Sequence, residues 1–360
     1  MSYLLNEKIL VAMSGGVDST VTAHLLLKQG YDVSGITMQL WSETEKIPDD
    51  PSPSILDQNC QDAKRAADAL GIDHYSVSFG KTFYDKVIEN FISEYLNGKT
   101  PNPCVFCNKY IKFGALLTKA NELGFDKIAT GHYARIEKDT NGNYLLKKAV
   151  DTAKDQSYFL WSLSQDILKS VVFPLGNMTK TEIRSIAEEN GFESAHRSDS
   201  QDICFIPDGD YVSFIKKHST AELKKGNFID LNGNPIGQHE GLIRYTIGQR
   251  KGLGVAFGKP MFVGTKNVQN NTVTLCEDHE LYSSTLTANN INLITCKNIY
   301  SPIRVEAKVR YRHAPAPAIV EQIDNDRISV LFNEPQRAIA SGQSVVLYDG
   351  DTVIGGGIID

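Results

Sequence analysis

Two hydrophobic periods divide the chain. Over roughly the first 200 residues, apolar runs alternate with segments of helical spacing, the pattern of an open parallel sheet covered by helices. Residues 8–14, KILVAMS, read as a buried strand. Residues 18–30, DSTVTAHLLLKQG, read as a helix with Val21, Leu25 and Leu26 on one face and Gly30 as its stop. A strand over 31–38, a helix over 59–71 and a strand over 74–79 continue the alternation. Residues 126–134 begin as a strand and end as a loop, and 179–191 form a helix with a capping box, Thr179 with Glu182. The stretch 43–57 is rich in proline and acidic residues and reads as a mobile loop.

After about residue 205 the character changes. A short helix beyond Gly209 gives way to a hairpin signal at Asn232-Gly233-Asn234. From about 276 the period is two: Ile303, Val305, Ala307, Val309 and Tyr311 fall on one face of a strand over 303–312, and Asp349-Gly350 marks a turn. These patterns predict an α/β chain of three units. A doubly wound parallel sheet occupies 1–205, a small central domain 206–275, and an antiparallel β-barrel 276–360.

Composition adds exclusions. With 41% hydrophobic and 22% charged residues the chain can bury real cores. No apolar run approaches the ~18 residues of a spanning helix. Glu7 and Lys8 interrupt the apolar N-terminus and no small-residue cleavage site follows, so neither a signal peptide nor a membrane partner is expected. Six cysteines in 360 residues do not make a disulfide scaffold and point to catalysis or metal. A net charge of −6 counts against a protein that merely coats nucleic acid. It leaves room for local basic patches, for which Lys216-Lys217, Lys224-Lys225 and Arg250-Lys251 are candidates.

Candidate chemistry begins with SGGVDST (14–20), where the first strand ends and the first helix begins. Two glycines let the backbone approach a ligand, and the amides of Gly15, Gly16 and Val17 can converge on an anion at the helix start. No lysine follows, so this is not the loop of simple γ-phosphate transfer. A Gly-Gly turn alone is usually only a turn; the full string resembles the pyrophosphate-binding (PP) loop of the ATP pyrophosphatase superfamily. Those enzymes cleave ATP between the α and β phosphates and place AMP on an oxygen that must leave.

Cysteine supplies the second signal. Cys104 and Cys107 stand three apart, and Cys204 follows at a distance. Cys60, Cys276 and Cys296 have no companion motif and read as small buried hydrophobes. The strings GITMQLW (35–41), TPNPCVFCNKYIKFG (100–114), ATGHYA (129–134), KDQSYFLW (154–161), DSQDICFI (199–206), TIGQRKGLG (246–254) and VRYRH (309–313) follow SGGVDS in order. In that order they resemble the bacterial tRNA-specific 2-thiouridylases, over essentially the whole chain.

The resemblance implies ATP-dependent conversion of the wobble uridine of tRNA to 2-thiouridine. The C2 oxygen is adenylated and then displaced by sulfur, a task suited to thiolates. Carried over residue by residue, Cys204 matches the persulfide-carrying cysteine and Cys107 its partner, which can end in a Cys107–Cys204 disulfide. Ala12, Met13, Ser14, Gly15, Gly16, Val17, Asp18 and Ser19 match the ATP loop, Met38 a backbone contact to adenine, and Gly131 another nucleotide contact. Asn102, Pro103 and Cys104 match the segment facing the target base. His132, Lys154, Asp155, Gln156, Arg310, Tyr311 and Gln343 match tRNA-contacting positions. The family further implies ATP with Mg²⁺, tRNAs for Lys, Glu and Gln, a cysteine desulfurase or sulfur-relay donor, a monomer and a cytoplasmic setting.

The chain departs from the family at Cys104, where many members have an aspartate assigned as a base. Four readings of the pair stay open. Cys104 is a bystander or tuned acid/base while Cys107 and Cys204 carry persulfide chemistry. Alternatively Cys104, Cys107 and Cys204 ligate a 4Fe-4S cluster whose open iron carries sulfide. In a third reading Cys104 and Cys107 form a redox disulfide. The fourth is a zinc site, for which a fourth ligand is not evident.

Overall fold

The structure, a computed structural model, describes residues 7–41, 58–196, 203–255 and 258–360. The acidic, proline-rich stretch 43–57 and residues 199–202 of the Cys204 string lie outside the described residues.

The first apolar runs are parallel strands. β1 (Lys8–Ala12) and β2 (Asp32–Gln39) pair in register, Lys8 with Asp32 through Ala12 with Ile36. β3 (His74–Ser78) adds beyond β2, and β4 (Lys127–Ala129) adds on the other side of β1. A hairpin of β5 (Ala134–Lys138) and β6 (Tyr144–Lys148) follows, and the two-residue β7 (Val171–Val172) completes the sheet in the order β3-β2-β1-β4-β7. Strands this uniformly apolar must be covered on both faces. The crossover helices α1 (Val17–Lys28) and α2 (Gln58–Leu70) provide part of the cover, α2 pressing Ala63 and Ala67 against Val11 and Val33. The helix Lys180–Glu189 carries the expected capping box, Thr179 with Glu182.

The middle of the chain forms a four-stranded sheet from β8 (Gly226–Ile229), β9 (Pro235–His239), β10 (Phe262–Asn267) and β11 (Thr272–Cys276). The last six strands are β12 (Tyr282–Leu293), β13 (Ile303–Lys308), β14 (Ala316–Gln322), β15 (Ile328–Arg337), β16 (Ser344–Asp349) and β17 (Thr352–Ile359). They close into an antiparallel barrel through pairing of β12 with both β15 and β17. The β5–β6 hairpin lies on the barrel's edge, with Lys147 opposite Thr352.

One expected strand stops early. The alternation predicted a strand over 303–312, and Val305, Ala307 and Val309 are indeed buried, but pairing ends at Lys308. The Arg310 guanidinium explains the departure. It donates to the carbonyls of Ile247 in the central unit (3.0 Å) and Ala338 in the barrel (2.7 Å), bonds that lie off the ladder.

The nucleotide unit and the barrel share a core. Trp161, Tyr158 and Leu160 pack in one cluster with Val346, Tyr348 and Val353. Ser344, fully buried, ties the two polypeptide stretches together: Trp161 Nε1 donates to its Oγ at 3.0 Å and Tyr158 OH donates to its carbonyl at 2.8 Å. Replacing Ser344 by Ala leaves the indole N–H buried without an acceptor. We expect Ser344→Ala to cost about 1–3 kcal/mol in denaturant unfolding; no measurable loss would contradict this role for the joint.

Candidate active site

The SGGVDST string folds at the carboxyl end of β1, where ligands gather in open α/β sheets. Gly15 has φ +74°, and a side chain there would meet Asp62 at 2.6 Å, so the turn requires glycine. Ser19 Oγ accepts from the Ser14 amide (3.2 Å) and donates to the Gly16 carbonyl (3.1 Å), which shapes the loop. Among the described residues no side chain caps the start of α1, and helix-start amides left uncapped suit an anion. Met38 stands near the end of the adjacent strand β2, half-buried.

Asp18 is held from two sides. Lys180 Nζ donates to both carboxylate oxygens (2.8 and 2.9 Å), and Tyr133 OH donates to one of them at 2.8 Å. Sequence reasoning missed both partners. A signal existed for Lys180: a lysine in the first turn of a helix stands against the helix dipole, and this one is buried.

The second half of the site is helical. Residues 103–122 run as one helix begun by Asn102, whose side chain accepts from the Cys104 amide at 3.2 Å, and by Pro103 in its first turn. Over Cys107–Ala115 it is π-wound, with hydrogen bonds reaching five residues instead of four. That winding brings Lys112 onto the face of Cys107. A second helical run, 80–96, is π-wound over Tyr84–Ile88 and packs Phe83, Val87 and Phe91 into the cluster that buries Cys107. Phe205 enters the same cluster, its ring 5.6 Å from Phe83 and 5.4 Å from Phe91. This anchors the segment that carries Cys204, and Cys204 lies within electrostatic reach of Cys107.

Cys104, Cys107 and Cys204 are free thiols within one another's field. Cys107 is buried, whereas Cys104 and Cys204 reach solvent. Burial pushes the Cys107 thiol up to about 12, opposed by the Lys112 ammonium. Burial also raises Cys104 and Cys204, again opposed by Lys112. Among the described residues no group of three His, Cys, Asp or Glu side chains stands close enough to hold a metal ion. The three sulfurs therefore do not form a closed site for a single ion such as zinc.

One loop joins the halves. After β4, Gly131 lies so close to the nucleotide loop that a side chain there would meet Asp18 at 3.0 Å and the Ser19 amide at 3.2 Å. The next residue, His132, is buried, with Thr130 Oγ1 2.6 Å from Nδ1 and Lys112 Nζ 3.4 Å from Nε2.

The remaining residues expected at tRNA are engaged within the protein. Asp155 is buried and accepts from the amides of Ala149 and Ser157 and from Ser157 Oγ. Gln156 accepts from the Tyr133 amide at 3.0 Å, and Gln343 donates to the Thr100 carbonyl at 2.7 Å, beside the cysteine helix. Tyr311 rests on Phe159, centroids 4.4 Å apart, and feels the charges of Asp155 and Lys154. Lys154 and Arg310 are half-buried. The lysines and arginine at 216, 217, 224, 225, 250 and 251 are exposed on the central unit, Lys225 paired with Glu240.

Residues 7–208 match the family model described as a tRNA methyl transferase HUP domain, 212–277 a tRNA methyl transferase PRC-barrel domain, and 283–359 an aminomethyltransferase beta-barrel domain. The chain is 48% identical over 357 residues to the tRNA-specific 2-thiouridylase MnmA of Clostridioides difficile, covering 99% of each chain. It is 49% identical over 358 residues to tRNA-specific 2-thiouridylase MnmA 1 of Caldanaerobacter subterraneus subsp. tengcongensis, covering 99% of this chain and 98% of that one.

A thiol titrating near 12 is almost wholly protonated at neutral pH. In the free protein, alkylation of Cys107 followed by peptide mapping should be at least about a hundredfold slower at neutral pH than for an unperturbed thiol of pKa ~8.5. Its rate should still climb with pH above 9. A plateau below pH 9 would show the buried thiol to be already activated.

Proposed function

We infer the activity from the family: the chain belongs to the tRNA-specific 2-thiouridylases, and it forms 2-thiouridine in tRNA at the expense of ATP. We further propose that the target is the wobble uridine, in tRNAs for Lys, Glu and Gln, and that the sulfur travels as a persulfide on Cys204. The observation that carries this reading is the loop 130–132, whose neighbouring residues touch the nucleotide loop on one side and the cation of the thiol pocket on the other.

In this reading Ala12 through Ser19, with Met38 and Gly131, take up ATP and its Mg²⁺ counter-ion. The uracil C2 oxygen attacks the α-phosphorus and pyrophosphate leaves. Cys107, as thiolate, attacks Sγ of the Cys204 persulfide; the Cys107–Cys204 disulfide forms and the terminal sulfur leaves as HS⁻. HS⁻ attacks C2, and AMP departs with the former C2 oxygen. A dithiol reductant then reopens the disulfide, and a cysteine desulfurase or relay protein reloads Cys204. The target base leaves its stack to reach Asn102, Pro103 and Cys104. His132, Lys154, Asp155, Gln156, Arg310, Tyr311, Gln343 and the exposed basic pairs serve tRNA by contact or by holding the contacting surface. Units 1–205, 206–275 and 276–360 act as catalytic, adaptor and barrel domains of a cytoplasmic monomer.

We take the persulfide over the cluster because exchange between Cys107 and Cys204 needs only two neighbouring thiols, and these two lie within one another's field. Protein purified without oxygen should be iron-free. With unmodified tRNA, ATP, Mg²⁺ and a persulfide donor it should yield 2-thiouridine by nucleoside mass spectrometry. Cys204→Ser should abolish product while tRNA-dependent pyrophosphate release continues. About four irons per chain, lost in Cys104→Ala, would replace the persulfide route with the cluster.

A further inference from the structure

Lys112 is half-buried, and among the described residues no carboxylate forms an ion pair with it. An ammonium in such a place normally finds a counter-charge, because desolvating it alone is costly. What it has instead is a neutral base. The His132 ring is buried and wedged between Phe113 and Phe173, each centroid 5.7 Å away. Burial, and then the Lys112 charge, hold its pKa well below the ordinary histidine value, so the imidazole is uncharged. A neutral imidazole offers one acceptor nitrogen. Since an ammonium can only donate, Nε2 is that acceptor; the proton is then assigned to Nδ1, which donates to Thr130 Oγ1 at 2.6 Å. The chain Thr130–His132–Lys112 thus fixes a positive charge without neutralising it. Lys112 stands five residues after Cys107 on the same π-wound segment, where hydrogen bonds span five residues, and besides His132 its charge reaches the three thiols.

We propose that Lys112 is the cation that stabilises anionic sulfur during transfer, and that His132 and Thr130 are positioning residues that aim it into the pocket of Cys104, Cys107 and Cys204. The inference rests on the persulfide reading. The Cys107 thiol gives its proton to water, its thiolate attacks Sγ of the Cys204 persulfide, and the S–S electron pair leaves on the terminal sulfur as HS⁻. Negative charge sits on sulfur before and after the step, in a site whose burial opposes it. An uncompensated ammonium offsets that opposition at both stages, whereas one paired with a carboxylate would present little net field.

The test uses the full-length protein loaded with persulfide by sulfide and mild oxidant, without tRNA. Sulfide release and the Cys107–Cys204 disulfide are followed in a single turnover. Wild type should release one sulfide per disulfide. Lys112→Met should slow release at least about tenfold, and Lys112→Arg should recover much of the loss. His132→Gln, whose amide oxygen can still accept from Lys112, should stay closer to wild type than His132→Leu, with unfolding midpoints measured alongside. Equal rates in wild type and a folded Lys112→Met would overturn the role of Lys112 and leave the persulfide reading standing. Absence of the disulfide in wild type would overturn the persulfide reading itself. Equal loss in His132→Gln and a folded His132→Leu would overturn the positioning role of His132.

Discussion

Burial of the Cys107 thiol governs the site. The helical runs 80–96 and 103–122 meet through Phe83, Val87, Phe91 and Ile111, and the sulfur lies within their contact. A thiol so placed is protected from oxidation and stray alkylation, and for the same reason it is a poor nucleophile. Each nearby feature answers that conflict. Phe205 anchors the neighbouring backbone in the same cluster, which keeps the exposed Cys204 within the field of the buried sulfur. The π-winding of Cys107–Ala115 turns Lys112 toward the thiols. An α-helix would have put a residue three or four positions on, Tyr110 or Ile111, over Cys107 instead.

The ATP half obeys a different constraint. On the reading proposed above, the loop is a phosphate cradle, and side chains fix its shape: Ser19 on Ser14 and Gly16, Lys180 and Tyr133 on Asp18. The two halves cannot act independently, because an adenylated base is useful only where sulfur arrives. The loop 130–132 supplies the rigid link between them, and the joint of Trp161, Tyr158 and Ser344 fixes the barrel to the same body. Gln343 and Arg310 extend this bracing, one to the carbonyl before the cysteine helix, the other between barrel and central unit.

Much of this architecture was legible in sequence because its signals are local. The strands and crossover helices of the sheet unit show their periods, and Thr179 with Glu182 announced a helix start that the structure holds. The run 80–96 was missed although Phe83, Val87, Ile88, Phe91, Ile92 and Tyr95 keep helical spacing; what the sequence does not announce is the π-winding within it and within 103–122, which departs from the 3.6-residue period. The β5–β6 hairpin carries charge on both strands and lacks a clean alternation. At the site, spacing and family strings located the cysteines and the nucleotide loop, but not the burial that separates Cys107 from Cys104 and Cys204. Lys112 was invisible for a further reason: it acts through a contact made by folding, with His132, that no local string encodes; Lys180 showed only its place against the helix dipole, not its partner Asp18.

The account stands or falls on sulfur passing from Cys204 to the base with Cys107 as the thiol that frees it. The direct measurement is a single turnover with ³⁵S-persulfide on Cys204, tRNA and ATP, quantifying labelled 2-thiouridine and the Cys107–Cys204 disulfide together. One disulfide formed per labelled 2-thiouridine is the predicted result. Labelled 2-thiouridine appearing with both thiols still free would contradict it.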